Sequence, residues 1–507
     1  MLTEIQKDIV KQNGNLIVKA SAGTGKTHTM VHKIMKEIDE NKTHKVVAAI
    51  TFTIKAAEEI KKRIIINTDD HFIGTNNSFA IEEIINPFFK DVYGRQYDYL
   101  FDTDYSIKVN NFQEGLEKMI NDKLICSYYD NKKNFVFQLA LNILKESKAC
   151  QLYLKAKYFK IYIDEYQDCD VDMHKLFMFI CNHLNIDTFI VGDEKQSIYI
   201  WRGAYPQAFL NVWNSDNFNK RIMRENFRSC QQIQNYSNLL NDDTIGLYEK
   251  VDDLSSIIIL CTNKDKCYDE MVKYLDDNKT SAILRYSNTN AKTGMEELNA
   301  RGKEFVYIPQ PPISDISTSA SWLYNLIANY CIIDSYSEYD FLSEMPGELI
   351  IKNNKRGVKY IKEFLTDLEK YLELNADIAF ANKILEFADA LNYEVKDEHI
   401  KMLYKTIKEP EYHPAFSMNN YKNVSITFHS SKGLEYDQVI LFAEDYRLND
   451  MQSIYNHYVA STRAKSKLVI VYIKNGYNDG IFANNLNKIL AKSNLKARDI
   501  LTVINCK

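Results

Sequence analysis

One octapeptide constrains this chain more than anything else in it: Ala20-Ser21-Ala22-Gly23-Thr24-Gly25-Lys26-Thr27. It follows an apolar run at 16–18 and opens a segment whose apolar residues Met30, Val31, Ile34, Met35 and Ile38 recur at helical spacing. Strand, glycine loop and helix in that order make a phosphate-binding loop. Gly23 and Gly25 let backbone N–H groups turn inward at a positive helix end, with Ala22 and Thr24 in the same cradle. Lys26 would reach the β and γ phosphates, and Thr27 would supply an Mg²⁺ ligand. Ala20 replaces the usual first glycine, and the plain alternative is a glycine turn before a helix. The chain has only 16 glycines and 8 prolines among 507 residues, so each glycine points to a backbone requirement.

Such a loop needs a parallel sheet around it, and the strands are there. Short β-branched runs fall at 16–18, 46–50, 161–163 and 189–191, then at 257–260, 282–284, 425–428, 439–442 and 468–473. Continuously apolar strands alternating with helices predict an α/β fold of two P-loop NTPase lobes, each a parallel sheet flanked by helices. Pro309, Pro311, Pro312, Pro410 and Pro414 bracket a helix-patterned segment, which reads as a reduced helical insertion at 313–414. A second helical stretch at 85–157 interrupts the first strand series. The expected division is a first lobe at 1–84 and 158–228, and a second at 229–312 and 415–507.

The strand at 161–163 ends in Asp164-Glu165, where two carboxylates need a cation or a water to act on. Asp164 would hold Mg²⁺ and Glu165 would orient and deprotonate the attacking water, although acidic pairs at strand ends are also common solvated turns. After the strand at 189–191, Gln196 is a candidate γ-phosphate sensor. Tyr199 and Trp201 alternate, so they are expected to point one way as a stacking surface for bases, with a place in the core as the alternative for Tyr199. Asp168, Asp170 and Asp172 read as a solvated helix start rather than a nuclease metal site.

A net charge of -5 means that any contact with nucleic acid is a local groove. Nine scattered cysteines with no CxxC pair read as a reducing cytosol. No leader pattern opens the chain and no run of 18 apolar residues occurs, so a cytoplasmic protein with no membrane span is expected.

Taken in order, these motifs resemble the UvrD/Rep group of superfamily-1 helicases, whose lobes are RecA-like. The resemblance adds Gln6 as reader of the adenine edge, and the segments 49–57 and 74–79 as strand-gripping motifs with Phe52, Thr53, Thr75 and Asn77 on DNA. It makes 224–229 the segment that stacks Phe227 on adenine and sets Arg228 on the γ-phosphate. The segment 427–436 would couple Glu435 on ribose to His429 near DNA, and 458–464 would carry the last arginine finger, Arg463. His28 stands where an arginine often stacks on the base and Asn77 where a histidine is usual, which leaves other nucleoside triphosphates open beside ATP. The stretches 135–141, 158–168 and 456–460 further resemble the helicase-like GajB family of bacterial Gabija anti-phage systems.

The resemblance implies an ATP- and Mg²⁺-dependent 3′ to 5′ translocase on single-stranded DNA or DNA ends. It would license an OLD-type Toprim nuclease, GajA, in a hetero-oligomer. The competing readings are a free-standing DNA repair helicase and a non-catalytic helicase-fold binding subunit. Intact Lys26, Asp164, Glu165, Gln196, Arg228 and Arg463 weigh against the last.

Overall fold

In the first half the apolar runs become the central strands of a parallel sheet, because β-branched side chains fit a pleat buried on both faces. The strands are β1 (Leu16–Ala20), β2 (Val46–Thr51), β3 (Phe72–Thr75), β4 (Asp102–Val109), β5 (Leu124–Tyr128), β6 (Tyr158–Ile163), β7 (Asp187–Gly192) and β8 (Asn219–Met223). Six of them form one sheet in the order β3-β2-β6-β7-β1-β8, with every pair parallel. Each lies beside its neighbours with Ile17 opposite Ile190 and Tyr162 opposite Phe189, so the strand ends of β1, β6 and β7 open on one edge. In open parallel sheets that edge is where ligands bind. The computed structural model describes residues 2–68, 70–346, 349, 355–474 and 480–506.

The second half repeats the architecture. Strands β9 (Ile257–Thr262), β10 (Ser281–Arg285), β11 (Val306–Tyr307), β12 (Asn423–Thr427), β13 (Tyr436–Phe442), β14 (Ala464–Ile473) and β15 (Thr502–Asn505) form a parallel sheet in the order β11-β12-β10-β13-β14-β9-β15. This is the expected α/β fold of two lobes, each a parallel sheet flanked by helices. The strands that the apolar runs do not announce are the short or polar ones at the sheet margins. Asn219-Lys220-Arg221-Ile222-Met223 in β8 is an edge strand with mostly exposed side chains, so burial never required it to be apolar.

The insertion at 85–157 is not purely helical. Asp102–Val109 alternates polar and apolar residues and pairs in parallel with β5 across the helix Phe112–Asp122, a small βαβ unit. Nor does it own a core: Phe101, Val109, Ile125, Phe135 and Leu154 belong to one continuous cluster with Ile17, Ala48, Ile163 and Ile190 of the first sheet. The second insertion differs. Its helices Ser321–Ile332, Lys355–Glu373, Asp377–Ala390 and Asp397–Lys408 close on a core of their own, where Phe364 and Phe387 stack at 3.8 Å. A strap joins the two insertions, with Tyr105 N–H donating to Ser317 O at 3.1 Å and Ser319 N–H to Thr103 O at 3.2 Å.

Candidate functional site

The phosphate loop emerges from β1 and enters the helix Lys26–Glu40 through Gly25, which caps it at φ 80° with no side-chain hydrogen bond. The first N–H groups of that helix are therefore left for a ligand. Gly23 also lies at positive φ, and a Cβ there would stand 2.4 Å from Asn226 Oδ1, so the loop is pressed onto the segment that follows β8. Phe227 N–H donates to Gly23 O at 2.9 Å. Gln6, held in a capping box with Thr3, donates from Nε2 to Thr24 O at 3.2 Å. His28 is exposed in the first turn of the helix, its ring 4.3 Å from His32. Lys26 Nζ is buried without a hydrogen-bond partner and stands 3.2 Å from Glu165 Oε1 as an ion pair.

Both acids sit where β6 ends. Asp164 Oδ2 lies 3.3 Å from Thr27 Oγ1, and its Oδ1 accepts Glu165 N–H at 2.8 Å. Glu165 takes a left-handed backbone, φ 50°, a strained conformation that turns its carboxylate toward Lys26. Burial and the neighbouring Glu165 charge push Asp164 up to about 6. Burial acts on Glu165 in the same sense, but Lys26 and then Lys432 overcome it and hold Glu165 at about 2, ionised at neutral pH.

The second lobe closes over this edge with cations. Arg463 is 2% exposed, and its guanidinium donates only to neutral oxygens: Val459 O at 2.9 Å, Leu434 O at 3.2 Å and Thr462 Oγ1 at 3.2 Å. Among the described residues no carboxylate pairs with it. Burial, with Arg228 adding repulsion, lowers it to about 9. Arg228 is taken up by Glu435, Nε to Oε2 at 2.7 Å, and by Thr462 O at 3.3 Å, so the expected phosphate and ribose ligands hold each other. Phe227 beside them is 58% exposed. Gln196 is buried and donates to Asp193 Oδ2 at 2.8 Å.

The acids after Asp164 correct the expectation of a solvated helix start. Asp170 does cap the helix Val171–Leu184, but Asp168 is paired with Lys432 of the second lobe. Asp172 is 3% exposed and accepts from Asn134 N–H and Gln138 Nε2. Lys432 also donates to Gln196 O at 3.2 Å. These contacts of Lys432 were invisible in the sequence because they cross from one lobe to the other; its one signal was its place inside the 427–436 motif.

Beside this edge lies an aromatic face. Residues 200–202 form a 3-10 turn closed by Gly203 at φ 100°, so Tyr199 and Trp201 do not alternate along a strand. Trp201 is 58% exposed, while Tyr199 packs partly into the second core. Arg202 joins them, its guanidinium 4.5 Å from the Trp201 ring and 5.6 Å from Tyr199. His429 meets Trp201 edge-on at 6.2 Å and is lowered to about 4 by burial and by Arg202, hence neutral. Tyr286, which no motif announced, continues the row 5.9 Å beyond His429 and is 55% exposed. The first-lobe candidates are more occupied. Thr53 and Thr75 cap helices through Ala56 N–H and Ser78 N–H, Asn77 donates to Tyr105 at 3.2 Å, and Phe52 packs against the first core.

The protein is similar to several known ones. Residues 4–202 match the AAA domain family and residues 423–471 the UvrD-like helicase C-terminal domain. It is 39% identical to Gabija protein GajB of Bacillus cereus (strain VD045) over 485 residues, which covers 94% of this chain and 96% of that protein. It is 28% identical to ATP-dependent DNA helicase Rep of Buchnera aphidicola subsp. Acyrthosiphon pisum over 48% of this chain and 46% of Rep. It is 26% identical to ATP-dependent DNA helicase PcrA of Staphylococcus epidermidis over 47% of this chain and 39% of PcrA.

Proposed function

Since this chain belongs to the family of Gabija protein GajB, we propose that it is a DNA-stimulated ATPase that steps 3′ to 5′ along single-stranded DNA and licenses an OLD-type nuclease in anti-phage defence. The observation that carries the ATPase reading is Arg463, a buried guanidinium with no carboxylate ion pair among the described residues, yet near enough to Arg228 and to Glu165, the partner of Lys26, to feel their charges. A buried cation in that state is strongly unfavourable unless an anion joins it. The γ-phosphate of ATP fits that requirement, and Lys26, itself without a hydrogen-bond partner, fits the same group from below.

Thr27 and Asp164, 3.3 Å apart, fit an Mg²⁺ ion between them. When bound, Mg²⁺ would offset the negative charge of the phosphates. Glu165, held ionised, takes the proton of a water aligned on the γ-phosphorus as the bond to the leaving oxygen breaks. Arg228 exchanges Glu435 for phosphate oxygen as the developing charge reaches it. Lys26 below and Arg228 and Arg463 above meet only in the shut cleft, so ATP favours closure and hydrolysis releases it. The ring face of Trp201, Tyr199 and His429 spans both lobes, which lets each cycle move a stacked strand.

Lys26→Ala should lose nucleotide binding, whereas Glu165→Gln should bind ATP and Mg²⁺ yet hydrolyse it poorly. Affinity and turnover of both variants test the chemistry, and wild-type turnover in Glu165→Gln sinks it. Co-expression with the OLD-type nuclease and phage protection by Lys26→Ala test the licensing. Failure to co-purify, with protection intact in the variant, returns the reading to a free-standing helicase.

A further inference from the structure

Tyr458 lies on the second-lobe helix Met451–Ser461 and is 2% exposed, yet its hydroxyl is bonded entirely to the first lobe. It accepts the N–H of Ala22 in the phosphate loop at 3.3 Å and donates to Asp193 Oδ2, after β7, at 3.1 Å. A phenol has one proton to give and lone pairs to receive with, and both capacities are used here. Asp193 Oδ2 is also the acceptor of Gln196 Nε2, at 2.8 Å, while Asp193 Oδ1 is held by Lys195 at 2.8 Å. One carboxylate oxygen is therefore shared between a second-lobe hydroxyl and the glutamine expected to meet the γ-phosphate. On the other side, Tyr458 O accepts Thr462 N–H at 3.0 Å, one residue before Arg463. The hydroxyl and the arginine arrive as one rigid piece.

We infer that Tyr458 is a positioning residue that reports lobe closure to the phosphate loop and to Gln196; this rests on the ATPase reading above. In the shut cleft the hydroxyl pins Ala22 N–H and, through Asp193 Oδ2, which it shares with Gln196 Nε2, fixes the Gln196 side chain beside the phosphate loop. In the open cleft the hydroxyl is withdrawn, and Ala22 N–H, Asp193 and Gln196 lose that support. DNA, by bringing the lobes together, speeds turnover through this hydroxyl.

The test is Tyr458→Phe, which keeps the ring and its burial and removes only the oxygen. ATP turnover is measured with and without single-stranded DNA, and nucleotide sites are titrated with a fluorescent ADP analogue. The expected result is one nucleotide site per chain as in wild type, with the ratio of DNA-stimulated to unstimulated turnover lowered about five-fold, the factor for one hydrogen bond lost. A merely structural role would lower the number of sites and leave the ratio unchanged, and an unchanged ratio overturns the inference whatever the site count. Wild-type protein that DNA does not stimulate overturns the ATPase-translocase reading as well, so the two failures are told apart by the wild-type control.

Discussion

Replacing Trp201 with alanine separates a base-stacking ring from a core ring. The side chain is 58% exposed, so about two fifths of a surface of roughly 250 Å² is buried, or about 100 Å². At about 25 cal/mol per Å² that burial contributes no more than about 2.5 kcal/mol, less after allowance for a compact unfolded chain, and the Arg202 guanidinium at 4.5 Å adds about 0.5–1 kcal/mol. Loss of a fully buried aromatic would instead cost about 3–5 kcal/mol. Stacking of one base on an aromatic ring is worth about 1–3 kcal/mol, so the affinity for single-stranded DNA should fall between about five-fold and just over a hundred-fold. Denaturant melts give the stability change, fluorescence anisotropy on a labelled oligonucleotide gives the affinity, and Trp201→Phe should restore much of the binding. A folded Trp201→Ala protein that binds DNA like wild type refutes the stacking argument.

Gly23→Ala should abolish nucleotide binding, because the new Cβ at positive φ meets Asn226 Oδ1 at 2.4 Å and must push the loop off its support; a fluorescent nucleotide titration reads the loss. His457 should make stability depend on pH. It is fully buried, with Tyr236 on Nε2 at 2.7 Å, and burial lowers it to about 3 from an ordinary value of 6.5. The unfolded chain then binds the extra proton, so the contribution is intact above about pH 6.5 and is lost as pH falls toward 3, by up to about 1.4 kcal/mol per unit. In urea melts between pH 5 and 7, His457→Gln should show a shallower decline than wild type, and equal slopes would refute the assignment.

The features legible in the sequence are those that local chemistry dictates. The phosphate loop, the β6 acids and the central strands need particular residues in a particular order, and runs such as Leu16-Ile17-Val18 can satisfy burial on both faces in only one way. What escaped was set by distant partners. Asp168 and Asp172 look like solvated acids until Lys432 and Asn134 arrive from elsewhere in the chain. Trp201 and Tyr199 suggested alternation because Gly203, whose backbone lies where a Cβ would strike Asn131 O at 1.9 Å, closes a turn that only the packed structure requires. Tyr286 gains its meaning from His429, a ring on another strand's loop. Thr53 and Thr75 have a duty that the motif conceals, since each starts a helix as its N-cap.

The unequal ownership of cores divides the molecule into two kinds of cooperative unit. Phe101, Val109 and Leu154 cannot leave water-free surroundings without exposing Ile17 and Ile163, so the amides of the first insertion should exchange with solvent only when the phosphate-loop lobe itself opens. The helices around Phe364 and Phe387 have a core of their own, so once the strap at Ser317 and Ser319 lets go they should open without exposing either sheet. Slow exchange in one insertion and fast exchange in the other would thus coexist in a single folded chain, with nucleotide protecting the first far more than the second.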